Sequence, residues 1–232
     1  MTPARLSFAS KDELAIALAD AVAGNIRAGI AARGQAVIAV SGGSTPARFF
    51  TKLGKKKDID WEQVFVTLVD ERWVPETSDR SNAALVNEKM LQGPAAVARF
   101  VPLYAGGNEP TASALKQTAK ALAALPAPFD AVILGMGGDG HTASFFPGGD
   151  NLSEALTGEG PLATMQAPGA GEPRVTMTLP YLLNTAALYL HIEGDEKAKV
   201  LDEALADGPV EQLPVRAVLR QTTTPLTIYW SP

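Results

Sequence analysis

A glycine-dense segment at residues 135–144 holds the best candidates for acid–base chemistry. Its sequence is GMGGDGHTAS, and it directly follows the apolar run at residues 129–135. Four glycines within six residues permit a backbone path that other residues would resist, and they deliver Asp139 and His141 to one small region. An imidazole exchanges protons near neutral pH, and a nearby carboxylate can orient it. We predict that His141 takes and returns a proton in a reaction; the structural alternative is a capping Asp and a structural His.

A second candidate is the turn SGGSTP at residues 41–46, which comes after the apolar run QAVIAV at residues 35–40. Its glycines allow close backbone approach, and the helix start beyond them presents free N–H groups that favour a phosphate. The pattern is neither GxGxxG nor a Walker motif. It also suits an ordinary turn in which Ser44 or Thr45 caps the helix and Pro46 lies in its first turn. The candidate binding residues here are Ser41, Gly42, Gly43, Ser44 and Thr45.

Charged residues follow or open other predicted strands. The run at residues 64–69 leads into Asp70-Glu71-Arg72, Arg174 opens RVTMTL, and Lys197 lies just after Gly194 at the start of a helix. Ligands of open α/β sheets bind beyond the carboxyl ends of the strands, so these cations could meet an anionic substrate there. The alternative is a solvated loop in which Arg72 pairs with a neighbouring carboxylate.

Residue scarcity narrows the chemistry further. The chain has no cysteine and only two histidines, which excludes thiol nucleophiles, zinc sites that use sulfur and an all-imidazole metal site. His191 lies in LYLHIEG, where strand alternation puts it on the same sheet face as Tyr189. We therefore expect His191 to be a core or edge histidine.

Composition predicts a single α/β domain over residues 1–232. Hydrophobic residues make up 46% of the chain and charged residues 19%, enough for a real core. The formal net charge of −5 argues against nucleic-acid binding. The strongly apolar runs are shorter than the ~20 residues of a membrane span, and the start MTPARLSFAS does not resemble a signal peptide. We expect a soluble, cytoplasmic protein without a membrane partner.

Apolar periodicity supplies the elements that must position these residues. Leucines and other aliphatic residues recur every four positions between residues 12 and 33, which predicts a helix ending at Gly34. Strand-like runs then alternate with helices, and a short helix is expected directly after the glycine-dense turn. This alternation predicts a Rossmann-like, mainly parallel sheet with helices on both faces. Further strands are expected at residues 99–104, 174–179, 187–192 and 226–230, and further helices around 115–122 and 195–206.

Taken together, these motifs resemble the 6-phosphogluconolactonase family. The match extends from about residue 35 to the end of the chain, and DGHTAS is its most specific part. The segments that carry it, in chain order, are SGGSTP at 41–46, DERWVP at 70–75, Ser81-Asn82, GMGGDGHTASFFPG at 135–148, the arginine of RVTMTLP and the lysine of EGDEKAKVL.

The resemblance implies a glucosamine-6-phosphate deaminase-like fold and hydrolysis of 6-phospho-D-glucono-1,5-lactone in the oxidative pentose phosphate pathway, without metal or cofactor. It implies that His141 is the general base and that Asp139 supports it indirectly through the loop. Backbone N–H groups at Gly42 and Gly43 would stabilise the oxyanion. The partner would be the phosphorylated sugar lactone alone, and the protein a monomer or small homo-oligomer. The implied phosphate ligands are Arg72, Arg174, Lys197, Ser44 and Thr45, with Asp70, Asn82 and Gly140 completing the substrate site.

Three other functions fit the sequence less well. In glucosamine-6-phosphate deaminases the corresponding segment resembles DGHIAFNEP, whereas this chain has DGHTASFFP. Phe146 therefore replaces the glutamate that supports the deaminase histidine. A sugar-phosphate sensor that regulates transcription should carry a helix-turn-helix segment, for which the chain has no room before its first helix and strand. A protein-interaction module would leave the glycine-dense loop and the dispersed cations unexplained.

Overall fold

The computed structural model describes residues 3–232, in which the strands form two sheets. The larger sheet has seven strands in the order β1-β10-β9-β6-β2-β3-β5, and every neighbouring pair is parallel. The smaller sheet has three antiparallel strands in the order β4-β8-β7. The strands are β1 Ala4–Ser7, β2 Ala36–Val40, β3 Val64–Leu68, β4 Asp70–Arg72, β5 Arg99–Val101, β6 Ala131–Gly135, β7 Leu162–Met165, β8 Arg174–Met177, β9 Leu188–Glu193 and β10 Leu226–Ser231.

Helices connect most of these strands. They are α1 Lys11–Arg33, α2 Ala47–Gly54, α3 Asn82–Lys89, α4 Ala112–Ala123, α5 Leu152–Thr157, α6 Leu179–Leu182, α7 Asp195–Leu205 and α8 Val215–Arg220. The predicted α/β class with a mainly parallel sheet is confirmed. The prediction of one domain over residues 1–232 includes Met1 and Thr2, which lie outside the described residues, so those bounds stay a prediction.

Helix α1 illustrates how the sequence specifies an element. Ser10 accepts a hydrogen bond from the backbone N–H of Glu13 at its start, and Gly34 ends it in the left-handed conformation with φ 75°. By length and composition alone α1 could cross a membrane, although Asp20 and Arg27 interrupt its apolar sequence. Its apolar side chains at the four-residue spacing are mostly buried in the core, as in a core helix of a globular protein.

Three local interpretations of the sequence are wrong. The alternative of a solvated loop does not hold for Asp70–Arg72, which forms strand β4 because it finds a partner in β8 far along the chain. Helix α2 has Pro46 as its N-cap and no side-chain cap, so neither Ser44 nor Thr45 caps it. No helix directly follows the glycine-dense turn; residues 142–151 form turns and an isolated bridge before α5 begins at Leu152.

The core of the larger sheet lies around its central strands. All five residues of β2 are buried, as are four of the five in β6, which matches their continuous apolar sequences. Both strands end at the same edge of the sheet because neighbouring parallel strands share a direction. The turn at residues 41–46 and the glycine-dense segment therefore start side by side. A single residue, Val69, separates the end of β3 from the start of β4.

Candidate active site

A cavity of about 280 Å³ lies beyond the carboxyl ends of β2 and β6. The structure brings eleven of the thirteen predicted site residues to its wall, from both sheets. Asp139 and Gly140 do not line the cavity, but they directly precede His141, which does. The predicted residues that line the cavity are Ser41, Gly42, Gly43, Ser44, Thr45, Asp70, Arg72, Asn82, His141, Arg174 and Lys197.

His141 contacts Asp139 directly. Nδ1 of His141 lies 2.5 Å from Oδ1 of Asp139, and the backbone N–H of His141 donates to the same oxygen at 3.1 Å. The expectation of support only through the loop is therefore wrong. Gly140, at φ 74°, turns the chain between the two residues in a conformation that side chains with a Cβ rarely adopt, so the carboxylate folds back onto the imidazole.

The contact with His141 also governs the charge of Asp139. Partial burial disfavours the carboxylate, but the hydrogen bonds from His141 and its charge outweigh burial, so the pKa of Asp139 lies below its usual value. Asp139 thus stays anionic beside the imidazole at neutral pH. Since Nδ1 faces this acceptor, Nδ1 is the nitrogen that carries a proton in the neutral ring, and Nε2 is left with a free lone pair.

Phe146 supports two site residues at once. Its ring stacks on the His141 imidazole, with centroids 4.3 Å apart and an interplanar angle of 25°, and the guanidinium of Arg174 lies 5.3 Å from the centroid of the same ring. From the sequence, Phe146 is recognised only as a departure from the deaminase pattern. Its signal is an aromatic side chain five residues after His141 in the same segment.

Arg174 is a buried cation in the smaller sheet. It is 6% exposed, and its Nε and Nη2 both donate to the carbonyl of Ala170, at 3.2 and 2.5 Å. Its Nη1 lies 3.8 Å from Oδ2 of Asp70. Burial lowers the pKa of Arg174; the charge of Asp70 opposes that shift and the charge of Arg72 adds to it. A buried cation with no closer counter-ion among the described residues suits an anionic ligand.

Arg72 stands directly opposite Arg174 in the β4–β8 ladder. Its Nη1 donates to the carbonyl of Arg80 at 2.5 Å, and its Nε is buried without a hydrogen-bond partner in the described chain. Among the described residues its guanidinium makes no salt bridge, so the alternative of a pair with Asp70 or Glu71 is wrong. Like charges on opposed positions repel, and an anion between them would relieve that repulsion.

Glu71 is fully buried, and the four hydrogen bonds it accepts join β4 to the start of α3. Its Oε1 accepts from the backbone N–H groups of Arg72 and Asn82, and its Oε2 accepts from the N–H of Ala83 and the hydroxyl of Ser81, at 2.8 to 3.0 Å. Burial raises the pKa of Glu71, while these hydrogen bonds oppose the rise. Glu71 is not among the predicted site residues, although it lies within the DERWVP motif.

Asn82 lines the cavity and has one buried polar atom without a partner. Its Nδ2 donates to the backbone carbonyl of Asp70 at 2.9 Å, whereas its Oδ1 is buried and finds no partner among residues 3–232. A Cβ on Gly42 would overlap the Asn82 side chain, so glycine is required for this close approach. Nearby, Oδ2 of Asp70 accepts from the hydroxyl of Ser144 at 2.6 Å. Ser144 is a further residue that the sequence did not single out.

Lys197 reaches the turn after β2 from helix α7. Its Nζ donates to the hydroxyl of Thr45 at 3.2 Å, and burial lowers its pKa, with the charge of Glu193 opposing the shift. The hydroxyl of Ser41 plays a different part, since it accepts from the backbone N–H of Gly135 at 3.1 Å and so joins the two loops.

His191 is buried, as predicted, with 2% exposure. Its Nε2 lies 3.2 Å from Oε1 of Glu193, and its ring meets Phe49 edge-on. Part of it also reaches the cavity wall, which strand alternation did not indicate. Within residues 3–232, no group of three or more histidine or carboxylate side chains is arranged to hold a metal ion.

Comparisons with known proteins agree with this architecture. A family model described as glucosamine-6-phosphate isomerases/6-phosphogluconolactonase matches residues 9–230. The 6-phosphogluconolactonase of Rhizobium meliloti (strain 1021) is 52% identical over 227 residues, which cover 97% of each chain. That of Pseudomonas aeruginosa is 42% identical over 231 residues, 97% of this chain and 93% of the relative.

Solved structures show the same fold. A 6-phosphogluconolactonase from Shewanella baltica OS155 superposes with a TM-score of 0.96 at 39% identity, covering 99% of this chain and 98% of that one. A monomeric glucosamine-6-phosphate deaminase gives a TM-score of 0.77 over 98% of this chain and 97% of the other, and at 17% identity it shows the fold alone. The resemblance inferred from the motifs is confirmed: the chain belongs to the glucosamine-6-phosphate isomerase/6-phosphogluconolactonase family.

Proposed function

We propose that this protein hydrolyses 6-phospho-D-glucono-1,5-lactone to 6-phospho-D-gluconate, with His141 as general base. The observation that carries the proposal is the direct contact of Asp139 with His141, which lies on the wall of a cavity that also presents the buried Arg174. The near-full-length relatives named 6-phosphogluconolactonase support a hydrolase acting on this lactone. The activity would belong to the oxidative pentose phosphate pathway.

The proton is proposed to travel through Nε2 of His141. Nε2 takes a proton from a water molecule, whose oxygen attacks the lactone carbonyl carbon and forms a tetrahedral oxyanion. When the oxyanion collapses, the bond from that carbon to the ring oxygen breaks. The imidazolium returns its proton to the departing oxygen, which becomes a hydroxyl, and the new carboxylic acid ionises in water. Asp139 stabilises the imidazolium between the two proton transfers.

The oxyanion is assigned to the turn after β2. Gly42 and Gly43 lie on the cavity wall, and their backbone N–H groups are our candidates for its donors. Ser41 supports this turn through its bond to Gly135, the last residue of β6, so the oxyanion donors and the loop of His141 are joined.

The phosphate is assigned to Arg72, Arg174 and Lys197. Two of these cations oppose each other in the smaller sheet, and the third donates to Thr45 in the turn after β2. A phosphate dianion accepts bidentate bonds from guanidinium groups and a point contact from an ammonium. The hydroxyls of Ser44 and Thr45 complete the proposed set.

The sugar hydroxyls are assigned to Asp70 and Asn82. Both side chains lie on the cavity wall, and the carboxylate of Asp70 would accept from a sugar hydroxyl there. The amide of Asn82 is held beside it by its bond to the carbonyl of Asp70. Gly140 acts through the conformation of the loop rather than by lining the cavity.

The deaminase alternative loses support at Phe146. This apolar ring stacks on His141 at the position where the deaminase pattern has a glutamate, so that carboxylate is missing beside the histidine. A sensor, in turn, would bind the sugar phosphate without turnover. The absence of a cofactor, a cytoplasmic location and a monomeric or small homo-oligomeric state remain predictions.

The deciding experiment measures acid release from freshly generated 6-phosphogluconolactone, beside an assay for ammonia release from glucosamine 6-phosphate. We expect acid release well above the spontaneous rate and no ammonia. Hydrolysis at the spontaneous rate would refute the lactonase proposal, ammonia release would favour the deaminase, and binding without turnover would favour the sensor.

A further inference from the structure

An ion pair joins two loops beside the cavity. Nε of Arg80 donates to Oε1 of Glu172 at 2.8 Å, and Nη2 of Arg80 donates to Oε2 of Glu172 at 2.9 Å. Arg80 lies between β4 and α3, and Glu172 lies between β7 and β8. The two parallel bonds fix both the distance and the angle between the side chains, which a single contact would not do.

Each of these loops also accepts hydrogen bonds from one of the two arginines assigned to the phosphate. The carbonyl of Arg80 itself accepts from Nη1 of Arg72 at 2.5 Å. The carbonyl of Ala170, two residues before Glu172, accepts from Nε and Nη2 of Arg174. The loops that are joined by the ion pair are therefore the loops that orient the two guanidinium groups.

The two arginines need such support because they repel each other. Arg72 and Arg174 are direct cross-strand partners, and the only acidic group of the described chain within 4 Å of either guanidinium is Asp70, at 3.8 Å from Arg174. Glu172 adds negative charge at this end of the smaller sheet. Its hydrogen bonds with Arg80 lower its pKa to about 2, so it is anionic at neutral pH.

We infer that the Arg80–Glu172 pair is a latch that positions the guanidinium groups of Arg72 and Arg174 for a phosphate dianion. This inference rests on the proposed function and deepens it. Arg80 and Glu172 are positioning residues, since neither lines the cavity. Loss of the latch should weaken phosphate binding and leave the proton transfers at His141 intact.

The test compares Arg80→Gln, Glu172→Gln and the double variant with the wild-type protein. Calorimetry measures binding of 6-phosphogluconate and of inorganic phosphate, and kinetics are followed with 6-phosphogluconolactone and with unphosphorylated glucono-1,5-lactone. We expect each single variant to bind both phosphate compounds about two- to fivefold more weakly, because an exposed ion pair contributes modestly. The double variant should bind these compounds no more weakly than the single variant with the lower affinity, because both substitutions remove the same pair.

Two controls separate positioning from general damage. Asp58→Asn breaks another exposed ion pair, with Arg27, and should leave binding unchanged. Arg80→Lys keeps the charge but loses the two-bond geometry, so it should restore only part of the affinity. Turnover of glucono-1,5-lactone should be the same in all variants, since that substrate has no phosphate to position.

Each result decides one of the two claims. Wild-type phosphate affinity in both single variants, or additive losses in the double variant, would overturn the latch while a lactonase activity would stand. Weaker phosphate binding in the variants of a protein that does not hydrolyse the lactone would support the latch and refute the proposed function. An equal loss of turnover on both lactones would also overturn the latch, because it would show general damage.

Discussion

The two sheets contribute to the candidate site in different ways. The seven-stranded parallel sheet contributes segments that lie beyond its strand ends: the turn at residues 41–46 after β2, the His141 loop after β6 and Lys197 after β9. The three-stranded antiparallel sheet contributes residues within its strands, Arg72 on β4 and Arg174 on β8. Loops can present backbone N–H groups and an imidazole beyond the strand ends, whereas paired strands hold guanidinium groups at fixed spacing.

This difference suggests a division of labour. The loops beyond the parallel sheet would carry the chemical step and also supply Lys197, Ser44 and Thr45 to the phosphate. The two arginines of the antiparallel sheet would act on the affinity for the phosphate alone. The division is testable because a lost transition-state interaction lowers kcat, whereas a lost interaction with the phosphate, present in both the ground state and the transition state, raises KM.

His141→Ala tests the parallel sheet's part and should have the largest effect. Removing a general base is expected to lower kcat by about 10²–10⁴-fold with little change in KM. Steady-state kinetics with freshly generated 6-phosphogluconolactone, corrected for spontaneous hydrolysis, measure both constants. A kcat within a few-fold of wild type would show that His141 is not the base, and the chemical step could then no longer be assigned to the loops of the parallel sheet.

Arg174→Ala tests the antiparallel sheet. The loss of a charged, buried hydrogen-bond donor should raise KM for the phosphorylated lactone by about 10- to 100-fold while kcat changes little. The matched substrate is glucono-1,5-lactone, whose kcat/KM should hardly change. If kcat for the phosphorylated lactone fell as much as KM rose, Arg174 would act in the chemical step and the division between the sheets would fail.

Glu71→Gln tests whether the antiparallel sheet depends on its buried carboxylate. Each oxygen of Glu71 accepts two hydrogen bonds. In the glutamine variant an N–H₂ group, which cannot accept, would replace one of these oxygens, so two of the four hydrogen bonds would be lost. We expect the free energy of unfolding to fall by about 1–2 kcal/mol, measured by denaturant unfolding. The control is Glu76→Gln at an exposed position of the following loop; an equal loss there would show that the buried contacts do not matter.

The same contrast explains which elements the sequence predicts and which it misses. The apolar pattern correctly indicates β2 and β6 by continuous runs and α1 by its four-residue spacing, because each element is recognisable from its own residues. It misses β4, because three charged residues form a strand only through pairing with β8 about a hundred positions later. Long-range pairing carries no local pattern, and for this reason the opposition of Arg72 to Arg174 emerges only in the structure.

In the candidate site, too, the sequence indicates what is close along the chain and misses contacts between distant segments. The glycine-dense loop indicates that Asp139 and His141 are close, since only one residue separates them, although not that they touch. By contrast, the bond from Ser144 to Asp70 joins residues 74 positions apart. Three of the four donors to the buried Glu71 likewise come from the start of α3, ten to twelve positions later. Such contacts depend on how loops pack, which neither composition nor spacing specifies.

His191→Gln should have the smallest effect and sharpens the comparison within the parallel sheet itself. His191 reaches the cavity wall, yet it lies inside β9 rather than beyond its end, and its Nε2 already faces Glu193. Glutamine can donate a similar bond to that carboxylate, so we expect kcat and KM within about twofold of wild type. The measurement is the same steady-state assay, beside His141→Ala. A large loss of kcat would mean that a residue within a strand of the parallel sheet takes part in the reaction, and chemistry could then no longer be assigned to the loops beyond the strand ends alone.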